Sequence, residues 1–164
     1  AAAMPQEQWR AYLDAALSGI TTWPERLSVV CVACDTGLPH VFTTDEDVPL
    51  PLAVAASCAM PGIFPPVTIN RSDYFDGGLR SPANADLAIG VDRVLVLAPL
   101  TGSARPSRRP RYQLARFDPS VRWLLVTPAG LGPWIMDPAG IGAAGRLGRA
   151  QGRRLSHQVA DLWG

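Results

Sequence analysis

Asp76-Gly77-Gly78 is the group in this chain whose residue types and order could do chemistry. The acid closes a short apolar stretch, Tyr74-Phe75, and two glycines follow at once. A carboxylate at the mouth of a strand, uncrowded by neighbouring side chains, is suited to act as a general base. With an ordinary pKa of about 4 it is ionised at neutral pH. To be an effective base it needs close contact with the hydroxyl it deprotonates and partial removal from water. Gly77 and Gly78 permit tight backbone turns and leave space beside the carboxylate. Taken alone, Asp-Gly is also a common turn signature, so a turn-capping role for Asp76 stands beside the catalytic one.

A base needs a nucleophile. Ser57 is flanked by Ala56 and Cys58, not by the glycines of a strand-to-helix elbow. It reads as a helix-interior serine bonded to backbone. Cys58 has no histidine placed to activate it. His40 falls in a strand-like segment and His157 in the final helix, so neither suggests a triad. Asp35 ends its strand, and Asp73 and Asp86 read as solvent-facing or capping acids. Cys31-Val32-Ala33-Cys34 has the spacing of a redox or zinc pair. It lies inside an apolar strand-like run, where residues three apart point to opposite faces. No second pair completes a zinc site. Both cysteines are therefore expected as buried small hydrophobes. No metal and no organic cofactor is implied.

The elements that must position Asp76 are legible as alternating helices and strands. Pro5 to Ile20 carries Trp9, Tyr12, Leu13 and Leu17 at helical spacing. Leu27 to Ala33 is a Val-rich run, as expected of a buried parallel strand. Asp35-Thr36-Gly37 turns the chain into a short paired strand, Pro39 to Thr43. Leu52 to Met60 is small and apolar throughout and predicts a closely packed helix beginning near Pro49 or Pro51. Pro61-Gly62 stops it, and Pro65-Pro66 forces an extended stretch. Val67 to Asn70 and Tyr74-Phe75 predict strand pieces around a turn at residues 70–73. Pro82 to Ile89 predicts a short helix closed by Gly90. Strands follow at Arg93 to Leu97 and Val121 to Val126. Residues 101–111 hold two prolines and four arginines and are expected as a mobile surface loop, and residues 129–140 as a further loop. Ile141 to Trp163 predicts a long final helix with Leu147, Ala150, Leu155, Val159 and Leu162 on its apolar side. The alternation points to an α/β sheet covered on both faces.

The 164 residues suit one domain of modest size, and a hydrophobic share of 48% is enough for a core. No apolar run reaches the roughly 18 residues of a membrane span, and no secretory signal is visible. Ala1-Ala2-Ala3 resembles a helix tail, so the chain reads as a piece of something longer. Its basic residues are all arginine, and charge is unevenly placed. Residues 1–92 carry a net −7 and residues 93–164 a net +8. The basic half could lean on an anionic lipid surface, although a charge run is ordinarily a solvated face.

The order of these segments resembles that of patatin-like phospholipases. A Val-rich strand ends near Asp35-Thr36-Gly37. The small-residue helix Ala56-Ser57-Cys58-Ala59-Met60-Pro61 follows, then Phe64-Pro65-Pro66-Val67, then the strand ending in Asp76-Gly77-Gly78. Pro82, the helix to Gly90 and the strand Val91 to Leu97 complete the set. The resemblance spans roughly residues 28–97 and is looser in the tail. It implies an incomplete three-layer α/β/α hydrolase fold, with residues 1–164 forming the C-terminal part of one domain. It implies a lipid acyl hydrolase with a Ser-Asp dyad, Asp76 taking the serine proton without histidine. The family's Gly-x-Ser-x-Gly elbow and glycine-rich oxyanion loop are absent from this sequence. Only the aspartate half of the dyad is therefore expected here, and this chain alone should be inactive. The expected partner is a lipid or fatty ester, with peripheral membrane contact and no nucleic acid. The expected location is cytoplasmic or at a membrane surface. The alternative is a non-catalytic patatin-like remnant that binds lipid surfaces or protein.

Overall fold

In the computed structural model, residues 5–20, 22–128 and 138–164 are described. The chain divides into two compact units, Ala1–Ser81 and Pro82–Gly164. Helices and strands mix in both, in keeping with the expected α/β class.

The first unit holds α1 (Gln6–Ala16), β1 (Val29–Ala33), β2 (Pro39–Phe42), α2 (Leu50–Ser57), β3 (Val67–Ile69) and β4 (Ser72–Asp76). Its sheet has the order β2-β1-β4-β3. Every pairing in it is antiparallel. The parallel strand expected at Leu27–Ala33 is thus corrected to an antiparallel one. The cause is local: only residues 34–38 separate β1 from β2, and a connection so short permits only an antiparallel neighbour. Gly37 makes that turn with φ +67°.

α2 is almost all small and apolar, and this lets it lie close against the sheet. Ala53, Ala55, Ala56 and Ala59 are fully buried there with Cys31, Phe42 and Val67. Pro51 sits in the first turn of α2, where its missing N–H costs nothing. α1 closes the core through Trp9, whose Nε1 donates to Ala55 O at 3.1 Å and whose ring stacks on Phe64. α1 ends at Ala16, four residues short of the expected limit.

β3 and β4 form a hairpin with Ile69 opposite Ser72, so Asn70 and Arg71 are its two turn residues. Both have positive φ, 50° and 68°. A turn of this kind matches the twist of the strands and favours Asn-Gly. Asn tolerates the left-handed region, whereas Arg there costs about 1 kcal/mol. Arg71→Gly should therefore stabilise the hairpin by about 0.5–1 kcal/mol, read as a rise in melting temperature. An unchanged or lower Tm would contradict this account of the turn.

The second unit pairs β5 (Arg93–Leu97) in parallel with β6 (Arg122–Val126). Its core is Ala85, Val94, Val96, Ala98 and Leu114. β5 alternates buried and exposed residues instead of being buried throughout. The helix expected at Pro82–Ile89 shrinks to a single 3-10 turn, Ala85–Leu87. Asn84 stands before it in the left-handed region, with φ 47°, and no α-helix can run through that conformation. The expected loop at 101–111 contains a 3-10 turn, Pro106–Arg108, and the start of α3 (Pro110–Leu114). Residues 129–137 of the other expected loop lie outside the described residues. α4 (Ile141–Trp163) has the predicted limits. Of its predicted apolar side, Leu162 is buried, Ala150, Leu155 and Val159 are half-buried, and Leu147 is half exposed.

Candidate active site

The sheet brings Asp76 to the end of β4, directly across from Cys31 on β1. Cys31 also faces His40 on β2, so His40, Cys31 and Asp76 form one cross-strand row. His40 therefore lies two strands from Asp76, about 10 Å at the usual strand spacing. Its Nε2 is instead 3.0 Å from Glu46 Oε2, and its ring leans on Phe42 and Tyr74.

Two backbone contacts hold Asp76 in place. Its N–H donates to Ala59 O at 3.1 Å, which fastens the end of β4 beside the end of α2. Its carboxylate Oδ1 accepts from Gly78 N–H at 2.7 Å, which fixes the side chain over a 3-10 turn, Gly77–Leu79. Asp76 is half-buried. Burial pushes its pKa above the ordinary carboxylate value, and the Gly78 hydrogen bond draws it part of the way back. The result is an oriented carboxylate of enhanced basicity. The turn-capping role and the basic carboxylate are thus both present in one residue.

The two glycines serve different ends. A Cβ on Gly77 would stand 2.3 Å from Val30 O, so the chain must pass β1 without a side chain. A Cβ on Gly78 would stand 2.9 Å from Asp76 Oδ1, in the space of the carboxylate itself. Space, not a left-handed backbone, is what glycine provides at both positions, since neither has positive φ. Gly77 is demanded by rigid backbone, while at Gly78 it leaves the Asp76 carboxylate its place.

The other candidates have structural partners. Ser57 Oγ donates to Val30 O at 2.8 Å, tying α2 to β1. Asp73 Oδ1 accepts from Thr68 Oγ1, Asp35 Oδ1 from Thr36 N–H, and Asp86 Oδ1 from Gln113 Nε2. Among the described residues no His, Cys, Asp and Glu side chains gather in a group able to hold a metal ion.

The cysteines correct one expectation and add a neighbour to the site. Cys31 is buried, but Cys34 is exposed, because it lies beyond the end of β1. Cys58, also exposed, stands out in the sequence only as a candidate nucleophile; the structure shows it electrostatically coupled to Asp76. Its thiol pKa is raised, first by the protein packed around it and then by the Asp76 carboxylate. No spacing within one segment links positions 58 and 76; the hydrogen bond from Asp76 N–H to Ala59 O holds the end of β4 beside the end of α2. Cys31 is pushed up to about 12 by burial, with Cys58 and Asp76 adding to the effect. A thiol titration of the native protein at mild alkaline pH should therefore find Cys34 and Cys58, with Cys31 reacting only on unfolding. Cys58 should react faster in Asp76→Asn, which removes the repelling charge. Equal rates in the two proteins would contradict the coupling.

A family model described as Patatin-like phospholipase matches residues 20–89. The matched segment contains β1 to β4, α2 and Asp76-Gly77-Gly78, and ends before β5. A comparison with curated proteins gives no match.

Proposed function

We propose, from the premise that residues 20–89 belong to the patatin-like phospholipase family, that Asp76 is the general base of a serine-dependent lipid acyl hydrolase. The observation that carries this reading is the state of the Asp76 carboxylate. It is half-buried, raised in pKa and aimed by a backbone N–H. A base of that kind takes a hydroxyl proton better than a solvated aspartate does.

In this reading a serine oxygen attacks the carbonyl carbon of a fatty ester while its proton passes to Asp76. The ester C–O bond then breaks, and the proton leaves with the alcohol. Water attacks the acyl-serine with Asp76 again accepting a proton; the acyl–serine C–O bond breaks, Asp76 returns the proton to the serine oxygen, and the fatty acid is released. Because the sequence has no Gly-x-Ser-x-Gly elbow, the reading assigns the nucleophile and the oxyanion donors to sequence beyond these 164 residues. Ser57 is not proposed for the role, since its hydroxyl is already committed to Val30 O. The reading also treats the chain as part of a three-layer α/β/α hydrolase domain, of which the antiparallel sheet and α2 form the wall behind Asp76.

The test is hydrolysis of a fatty ester by the product of the complete coding region and by its Asp76→Asn variant. The 164-residue chain alone should be inactive, because losing nucleophile and oxyanion donors removes the main sources of rate. Turnover by the isolated chain, or near-normal turnover by the variant, would reject the assignment.

A further inference from the structure

α4 has two opposed faces. The inward one is set by contacts within its own unit. Leu162 is buried, Leu155 and Val159 are half-buried, and Gln151 Nε2 donates to Thr127 O at 2.6 Å. With a turn of about 100° per residue, Arg146, Arg149, Arg153 and His157 come round to the opposite side, with Arg154 at its edge. All five are exposed. They span residues 146–157, eleven rises of 1.5 Å or about 16 Å along the helix.

No acid interrupts them. The only carboxylate on α4 is Asp161, which closes the row beyond His157. Among the described residues, no ion pair occupies any of the four arginines. Guanidinium groups are weakly hydrated and present a fork of donors that fits phosphate oxygens, which makes them better phosphate binders than dispersed counter-charges would require. Beside Arg154, one residue and about 100° on from Arg146, stands Leu147, half exposed. A helix that lies in a lipid interface sets basic residues on the headgroups and apolar side chains at the acyl boundary, and Leu147 supplies one such side chain beside the stripe.

We propose that this outward face of α4 docks the protein on an anionic phospholipid bilayer, with the arginines on headgroup phosphates and Leu147 entering the acyl boundary. The choice of bilayer over nucleic acid rests on the lipid-hydrolase reading above together with Leu147, which a phosphate backbone would leave uncovered. The surface itself is independent of Asp76.

The experiment is flotation of this chain with vesicles of ether-linked lipids, which cannot be hydrolysed. One set is phosphatidylcholine alone and the other contains about one third phosphatidylserine, the anionic class that attracts basic segments. Binding is expected only to the anionic set, weakening as salt rises. Each arginine near the surface contributes about fivefold, so Arg149→Gln with Arg153→Gln should weaken binding about 25-fold. Gln is as good a helix former as Arg, so α4 should persist, as circular dichroism would show. Asp76→Asn should bind like the parent chain. Anionic binding without ester hydrolysis by the complete protein would keep the surface and remove the enzyme reading. Equal binding to both vesicle sets, binding unchanged in the double variant, or tighter binding to an RNA than to anionic vesicles would overturn the surface.

Discussion

Asp76→Asn should reduce fatty-ester hydrolysis by the complete protein by about 10² to 10⁴-fold, the range associated with loss of a general base. It should do so without loss of the fold, and the stability change should have the opposite sign to the activity change. Asn keeps an Oδ1 that can accept from Gly78 N–H, so the local geometry survives. What disappears is a half-buried charge. Because burial raises the Asp76 pKa in the folded state, that state holds the proton more tightly than the unfolded chain does. The stabilisation this gives is complete below the unfolded value of about 4 and is lost as pH rises through the folded value. At neutral pH the wild-type protein therefore carries the full penalty of an ionised, desolvated carboxylate, and the variant carries none. Melting temperatures should show the variant at least as stable as the parent at pH 7, with the difference vanishing near pH 3. A variant that melts well below the parent at pH 7 would mean that Asp76 is there to hold the turn. A stable, inactive variant separates catalysis from structure.

The features of the sequence that announced Asp76 were local ones, and local features were what it could convey well. The helix limits of α4 and the strand at β1 follow from periodicity and Val content, which act within a few residues. The turn at Gly37 follows from backbone sterics. The direction of β1 did not follow, because a continuous apolar run records burial and says nothing about neighbours. The shortness of residues 34–38 was the usable signal. The helix expected at Pro82–Ile89 failed at Asn84, whose side chain tolerates a left-handed backbone that the apolar spacing does not reveal. Cys34 was expected inside because it follows an apolar run, yet it sits just past the end of β1, where the packed face has already ended. The neighbourhood of Asp76 is assembled from β1, α2 and β4, and no spacing within one segment encodes a contact between three. The family match covers the segment that holds all of them, which is why the motif order carried more than any single residue did.

Gly77→Ala tests that assembly directly, and its effect should be large. Alanine is permitted by the backbone at this position, since Gly77 has no positive φ. The obstacle is Val30: an added Cβ would lie 2.3 Å from its carbonyl oxygen, 2.9 Å from its carbonyl carbon and 3.2 Å from its Cβ. Backbone cannot rotate aside as a side chain can. Val30 is also held in place, paired with Val41 on β2 and next to Cys31, where the β1–β4 ladder begins, while its carbonyl accepts the Ser57 hydroxyl. Either β1 shifts, breaking those bonds, or the 3-10 turn moves out and takes the Gly78 N–H away from Asp76. Overpacking a close-packed site costs 1–3 kcal/mol, and the rigid neighbour here places the expected loss at about 3 kcal/mol or more. For a unit of this size that is a fall in Tm of more than about 10 °C. Gly78→Ala is the contrasting case. Its Cβ would meet the far end of the Asp76 side chain, which can turn away, so stability should fall by less than about 1 kcal/mol. Its damage should appear in hydrolysis, because the carboxylate is what yields. If Gly77→Ala melted within about 2 °C of the parent, β1 would not be the wall against which the site is built. If Gly78→Ala were fully active, the carboxylate position held by Gly78 would not be the one that matters for proton transfer.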